Sequence, residues 1–372
     1  MKALLLLIAA INLAAQDASM EDAMRMVAAG HLPEAEAALR TLVTKEPRDA
    51  DLYYRLGLVL VKRNKLDDAE NNLVAATRID PTFCFAWLAL GDISFRRGKN
   101  VAAMAYAKRA EERAGKSAVA WKALAVLQER IGDAAGQARA LQALVQLAPQ
   151  DRDACVRLAN LLLEHRNADA ARSIVDIGLR VFPNDPELLR LRGLAWYGIG
   201  RKDEALNSFL AAMDAAPTDE IVHASVETLL PDLADNLSPV RERLFRFAAQ
   251  RPDSPLGPFL LALASASAED KEKLLRRALV IDPNFWPAYF DLHRLLRERG
   301  KSQEAIQALE TTLRLNPNHA EAHFALAQLY LEAGDRQNAQ KHRAEHHRLR
   351  AAAASEEQKR SADAPRFAVK SQ

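Results

Sequence analysis

The sequence predicts an all-α chain built as a solenoid of antiparallel helix pairs, and three observations carry that prediction. Ala and Leu are abundant, aromatic residues make up 6 % and β-branched residues are sparse, a balance that favours helix over strand. Prolines recur at a spacing of 34 residues, at Pro47, Pro81, Pro149, Pro183 and Pro217, with Gly115 in the one vacancy. Small residues keep the same spacing at Gly57, Gly91, Ala125, Ala159 and Gly193, as positions of close helix–helix approach require.

The remaining punctuation agrees element by element. A second small-residue series runs Ala35, Ala69, Ala103, Ala171, Ala205, Ala305 and Ala339. Large side chains interleave with it: Tyr53, Trp87, Trp121 and Tyr289 on the first helix of a pair, and Leu39, Leu73, Leu141, Phe209 and Leu309 on the second. Gly30, Gly98, Gly132, Gly200, Gly300 and Gly334 fall midway between prolines, where a left-handed cap lets a helix stop and turn, and Asn64 takes that place in its own copy. The prolines then end the second helix of each pair. After Pro217 the intervals to Pro252, Pro283 and Pro317 are 35, 31 and 34, so the register slips across residues 218–283 and recovers.

These residues resemble the tetratricopeptide repeat, whose signature is W-x2-L-G-x2-Y, then A-x3-F, then P. Tyr53-x2-Leu56-Gly57-x2-Leu60, Ala69-x3-Leu73 and Pro81 form one nearly complete copy, Trp87-x2-Leu90-Gly91 and Trp121-x2-Leu124-Ala125 open the next two, and Ala205-x3-Phe209 with Pro217 closes a later one. Ten copies are countable over about residues 16–349. Copies seven and eight depart most. Glu227 in the seventh and His293 in the ninth stand where the first helix carries a small residue, and Lys271 stands where the eighth would carry Ala. Ser238-Pro239 reads as an N-cap followed by proline at the first helical position. The three-residue shortfall of the eighth copy reads as a trimmed turn near Ala268-Glu269.

The resemblance implies a right-handed superhelix with an extended concave surface that holds extended or helical segments of partner proteins. Stepping along the first helices, that surface presents Tyr54 and Leu58, Leu88 and Asp92, Lys122 and Val126, Val156 and Asn160, then Arg190 and Leu194. Apolar members would receive side chains of a bound peptide, and Lys122, Asn160 and Arg190 its carboxylates and backbone groups. The carboxylate clamp of the chaperone-tail binders is absent from the copies where it would fall, because Tyr54, Leu58, Asp92 and Val126 occupy its places.

Composition narrows the function. The 51 basic and 49 acidic side chains nearly cancel, which supplies no field for nucleic acid or an anionic membrane. An RNA-reading repeat would need a basic stripe that the sequence lacks. Neither a phosphate-binding glycine loop, an H-E-x-x-H pair nor a G-x-S-x-G elbow occurs, so no catalytic residue and no cofactor is expected. His342 and His346 are spaced i, i+4 with His347 beside them, but Lys341, Arg343, Arg348 and Arg350 surround them and disfavour a metal. Asp67-Asp68 reads as a helix start facing the dipole. Cys84 and Cys155 fall two helix pairs apart and are expected as unbridged, buried thiols.

At the N-terminus Lys2 precedes an apolar run from Ala3 to Ala15 broken only by Asn12. It is too short to span a bilayer and has the form of a signal peptide over residues 1–15. No Cys follows it, which argues against a lipid anchor. Residues 350–372 are expected as a helical extension and a disordered tail from Ser361 on. The whole reads as a periplasmic or secreted, non-catalytic adaptor that binds a protein or peptide. The alternatives are an accessory subunit of an envelope enzyme or export complex, or a helical-repeat nucleic-acid binder. Export predicts that mature chain from the native host begins near Gln16; mass spectrometry showing an intact Met1 on soluble cytoplasmic protein would overturn it.

Overall fold

A computed structural model describes residues 19–233 and 237–363; the expected signal peptide, residues 1–15, lies outside them. Among the described residues there are twenty α-helices and two short 3-10 turns. The helices fall into ten consecutive pairs. The first four are α1 (Met20–Ala28) with α2 (Leu32–Lys45), α3 (Ala50–Lys62) with α4 (Leu66–Ile79), α5 (Cys84–Arg96) with α6 (Asn100–Glu111), and α7 (Ala118–Ile131) with α8 (Ala134–Leu147). Next come α9 (Arg152–Glu164) with α10 (Ala168–Val181) and α11 (Pro186–Gly198) with α12 (Lys202–Ala215). The seventh and eighth pairs are α13 (Glu220–Ser225) with α14 (Ser238–Gln250) and α15 (Leu256–Leu263) with α16 (Ala268–Ile281). The last two are α17 (Trp286–Glu298) with α18 (Ser302–Leu315) and α19 (Ala320–Glu332) with α20 (Arg336–Asp363). The helices divide into two compact units that meet within α9, the first ending at Ala154 and the second starting at Cys155.

The helix ends follow from local chemistry. Side chains of Ser19, Asp49, Ser117, Asp133, Asn167, Asp185, Asp219 and Ser267 accept hydrogen bonds from backbone amides of the turn that follows, satisfying donors that have no partner inside the helix. Between the two helices of a pair the chain turns through a left-handed residue in the first six pairs and the last two. Gly30, Gly98, Gly132, Gly200, Gly300 and Gly334 have φ between 70° and 87°, and Asn64 has φ 58°, as the spacing predicts. The fifth pair does the same with Arg166, φ 57°, a residue type that carries no sequence signal for this conformation and occupies it at a cost of ~1 kcal/mol.

Packing within and between pairs depends on small residues. The alanine at the fourth position of the second helix is buried in α2, α4, α6, α10, α12, α18 and α20, with 0–3 % exposure. On the first helix, a Cβ added to Gly57 would lie 2.7 Å from Leu73 Cγ, one at Gly91 2.7 Å from Leu127 Cδ2, and one at Gly193 2.6 Å from the Phe209 ring. Each large side chain thus fills the space that a missing one leaves. Cys84 and Cys155 are buried in this core.

The slipped register has two structural causes, and that of the eighth pair differs from the sequence reading. In the eighth pair the missing residues come out of the first helix: α15 has 8 residues against 13 in α3, while the turn at Ala268 is intact, with Ser267 capping a full-length α16. In the seventh pair α13 has 6 residues and gives way to 3-10 turns at Val226–Thr228 and Leu230–Asp232, with Pro231 inside the second. Ser238 is the first helical residue of α14 rather than its cap, and makes no capping hydrogen bond. At the C-terminus α20 runs to Asp363, and residues 364–372 lie outside the described chain.

These contacts predict that Gly91→Trp lowers stability by ~1–3 kcal/mol through overpacking against Leu127. Lys122→Ala, at an exposed ion pair, should cost under ~1 kcal/mol. Urea melts of the two variants with equal midpoints would overturn the assignment of the helix interface.

Candidate functional site

The first helices of neighbouring pairs touch one another, α3 with α5, α5 with α7, and α11 with α13. Side chains one turn apart on α3, α5 and α7 therefore form a continuous strip in the first unit. In the first unit that strip holds Tyr54, Leu58, Leu88, Asp92, Lys122 and Val126. Tyr54 and Leu58 are half-buried, Leu88 is buried, and Val126 is 42 % exposed. The Tyr54 ring packs edge-on against Phe83, with centroids 5.0 Å apart, and near Phe85 at 6.4 Å, which makes an aromatic end to the strip. Val156, Asn160, Arg190 and Leu194 lie in the second unit and are half-buried.

The charges on these strips already have partners. Lys122 Nζ is 2.7 Å from Asp151, and Asp92 pairs with Arg96 at 2.7 Å and with Arg130. Arg190 is held by both oxygens of Glu187, at 3.0 and 2.7 Å, and its side chain is only 12 % exposed. Its guanidinium also reaches Ser225 Oγ at 3.4 Å. Contact with a bound segment would thus rest more on apolar surface than on these cations.

The same offset carried past the slipped register reaches Phe290 and Arg294, one residue and five residues after Tyr289. The sequence strip stops before them. They open on a recess of about 550 Å³, whose floor includes Leu230, Phe259 and Leu263 and whose wall includes Trp286 and Phe290. A second recess of about 270 Å³ shares Leu263, Lys271, Asp291 and Arg294 with it, so the two are one groove. Its origin is the short α15: where other pairs have a further turn of first helix, this one has open space.

Five charged side chains line the groove: Glu227, Lys271, Asp291 and Arg294 in the larger recess, with Glu298 at the smaller one. Asp291, with 13 % of its side chain exposed, is ion-paired to Arg294. Burial pushes its carboxyl above the usual range against the pull of Arg294 and Lys271. Desolvation and the Asp291 carboxylate push Glu227 upward as well. His319 caps α19, its Nδ1 accepting from the Ala322 amide at 3.1 Å, and its ring lies 4.4 Å from Phe290 and 5.0 Å from Trp286. Burial holds it neutral by lowering its pKa.

Among the described residues no group of three or more His, Cys, Asp or Glu could hold a metal ion. His342 and His346, paired on one face by sequence, make separate contacts: His342 Nδ1 lies 2.9 Å from His323 Nδ1, and His346 Nδ1 lies 2.9 Å from the Ala320 carbonyl. Asp67 and Asp68, in the first turn of α4, pair with Arg97 at 2.6 Å and with Arg40 at 3.3 Å. No helix among the described residues is long and apolar enough to cross a membrane.

Residues 23–82 and 158–230 match models of the tetratricopeptide repeat, and residues 294–334 match a TPR repeat model. No curated protein matches the chain. Among solved structures, yeast Tom70 is similar at 14 % identity, covering 95 % of each chain with a TM-score of 0.48. The Cut9–Hcn1 hetero-tetramer of the APC/C is similar at 15 %, covering 91 % of this chain and 89 % of that one, TM-score 0.46. YrrB, described as a TPR protein with an unusual peptide-binding site, is similar at 18 %, covering 50 % of this chain and 97 % of its own, TM-score 0.41. The assignment rests on the repeat register and the family models rather than on these distant likenesses.

The second unit should be acid-sensitive. His293 is 5 % exposed, its Nδ1–H donates to the Phe290 carbonyl, and burial, with Arg294 and Arg297 nearby, lowers its pKa to about 4 from 6.5. The folded state therefore binds a proton less readily than the unfolded chain. The stability from this group is complete above pH ~6.5 and falls as pH drops toward ~4, a loss of ~2 kcal/mol between pH 7 and 5. His293→Asn should shrink the difference between melts at these two pH values, and an unchanged difference would refute the assignment.

Proposed function

Because the chain is a tetratricopeptide-repeat protein, we propose that it serves as a non-catalytic protein-interaction scaffold whose first-helix faces hold an extended or helical segment of a partner. The observation that carries this reading is the contact of α3 with α5 and of α5 with α7, which joins Tyr54, Leu58 and Val126 into one strip. A segment laid along a strip would bury apolar side chains against these residues while its backbone meets polar groups at the edges. Adding neighbouring pairs lengthens such a surface without changing its local chemistry.

The expected setting is the periplasm or the outside of the cell, supported by Lys2 and the apolar run that follows it. There the scaffold would act on its own or as the accessory subunit of an enzyme or export complex of the envelope. Nucleic acid is the less favoured ligand, because the cations of the strips are committed to carboxylates and phosphate contacts need cations at the surface.

Display selection of peptides on the full chain tests the proposal. Recovered segments should lose about tenfold or more in affinity against Tyr54→Ala, Val126→Asp or Phe290→Ala chains whose circular dichroism is unchanged. They should keep it against Val101→Asp and Val280→Asp, at exposed second-helix positions of 85 % and 82 % exposure. The reverse pattern, with loss only at the second-helix sites, would move the binding surface and sink the reading.

A further inference from the structure

Two of the three departures from the repeat pattern come together in one place. Glu227 stands at the small-residue position of the seventh copy, on the 3-10 turn after α13, and Lys271 at the small-residue position of the eighth second helix, and both line the 550 Å³ recess. At the position Lys271 occupies, seven other second helices bury an alanine to 3 % exposure or less. A lysine fits there only because α15 stops short at Leu263 and leaves space in front of it. Among the described residues the side chains of Glu227 and Lys271 make no hydrogen bond or ion pair, with each other or with any other group. The second carboxylate and second cation of the 550 Å³ recess, Asp291 and Arg294, are ion-paired to each other, and Glu298 lies outside it, at the smaller recess. Between the two uncommitted charges lies an apolar floor of Phe259 and Leu263 and the rings of Trp286 and Phe290.

We propose that this groove is a docking site for a partner segment that carries an apolar anchor flanked by one acidic and one basic group, the anchor seated on Phe259 and Phe290, the acid on Lys271 and the base on Glu227. The proposal rests on the scaffold reading above and adds the chemistry of the ligand. Mixed charge is what the groove can compensate. The half-buried Lys271 side chain and the Glu227 carboxylate at the exposed rim each gain from an opposite partner, whereas a doubly acidic or doubly basic segment would leave one of them facing a like charge. A recess of this size takes one large side chain and part of its neighbours, which fits an anchor and its flanks rather than a whole folded domain.

The test uses the full chain and four short fluorescent peptides, blocked at both ends, with a central Trp-Leu anchor. Their flanking charges are Glu and Lys, Lys and Glu, Glu and Glu, or Lys and Lys. One mixed-charge peptide should bind about tenfold or more tightly than both like-charged ones, and the preference should fade with added salt. Lys271→Glu should transfer the preference to the Lys and Lys peptide, and Glu227→Lys to the Glu and Glu peptide. Lys271→Ala restores the residue of the regular repeat, so it should keep the fold while weakening the mixed-charge peptide. Like-charged peptides that bind as well as mixed ones, or preferences that the two reversals leave unmoved, would overturn the proposal. So would free tryptophan competing as effectively as the peptide. Binding lost in Tyr54→Ala but intact in all three groove variants would overturn the groove while leaving the scaffold reading in place. Failure of every peptide against parent and variants alike, together with failure of the display selection, would count against both.

Discussion

The close approach of the two helices in each pair is the constraint on which everything else depends. It sets a small residue on each helix, an alanine in the second and a glycine or alanine in the first, and a large apolar group opposite. Without that approach a pair could not bury enough surface, and stability in a repeat array is a sum of pair and neighbour contributions. The turn chemistry serves the same end, because a left-handed glycine lets the second helix fold straight back onto the first.

Where the constraint relaxes, the protein acquires features that the regular pairs cannot have. A shortened first helix removes the neighbour that would force position four of the second helix to be alanine, and a charged side chain enters. The same relaxation in α13 brings Glu227 to the rim on a 3-10 turn. Histidines occupy comparable places: His223 is stacked on Phe247 at 4.2 Å and His293 is held by the Phe290 carbonyl. Polar residues have entered the second unit where an ideal repeat would pack carbon against carbon, and each has been given a backbone or side-chain partner or a recess.

How much of this was legible in sequence follows from how local the cause is. Helix pairs, glycine turns and small-residue contacts were readable because each is imposed by backbone geometry within one repeat, and 34-residue spacing repeats the signal. Arg166 was not, since nothing about arginine announces a positive φ; only the missing glycine at that turn could have suggested it. The eighth copy was read as a trimmed turn because a count of residues between prolines does not say which element lost them. Of the candidate site, the strip residues followed from the register, but their ion pairs did not. Asp151 meets Lys122 across 29 positions and Arg130 meets Asp92 across 38. The groove was hidden for a related reason: Glu227, Lys271 and Asp291 belong to three different pairs and meet only through the fold.

The short helices have one more consequence, in the order in which the backbone opens. A helix of 6 or 8 residues has few internal hydrogen bonds, and each stretch added to a helix is what makes its opening costly. Amides of α13 and α15 should therefore exchange with solvent through openings that leave the longer helices closed, forming the least protected zone among the helices of the second unit. The floor of the groove is built on α15 and on the 3-10 turn that follows α13. A recess floored by its own weakest segments can deepen or flatten at low cost, so partners of somewhat different bulk could be admitted without disturbing the pairs on either side.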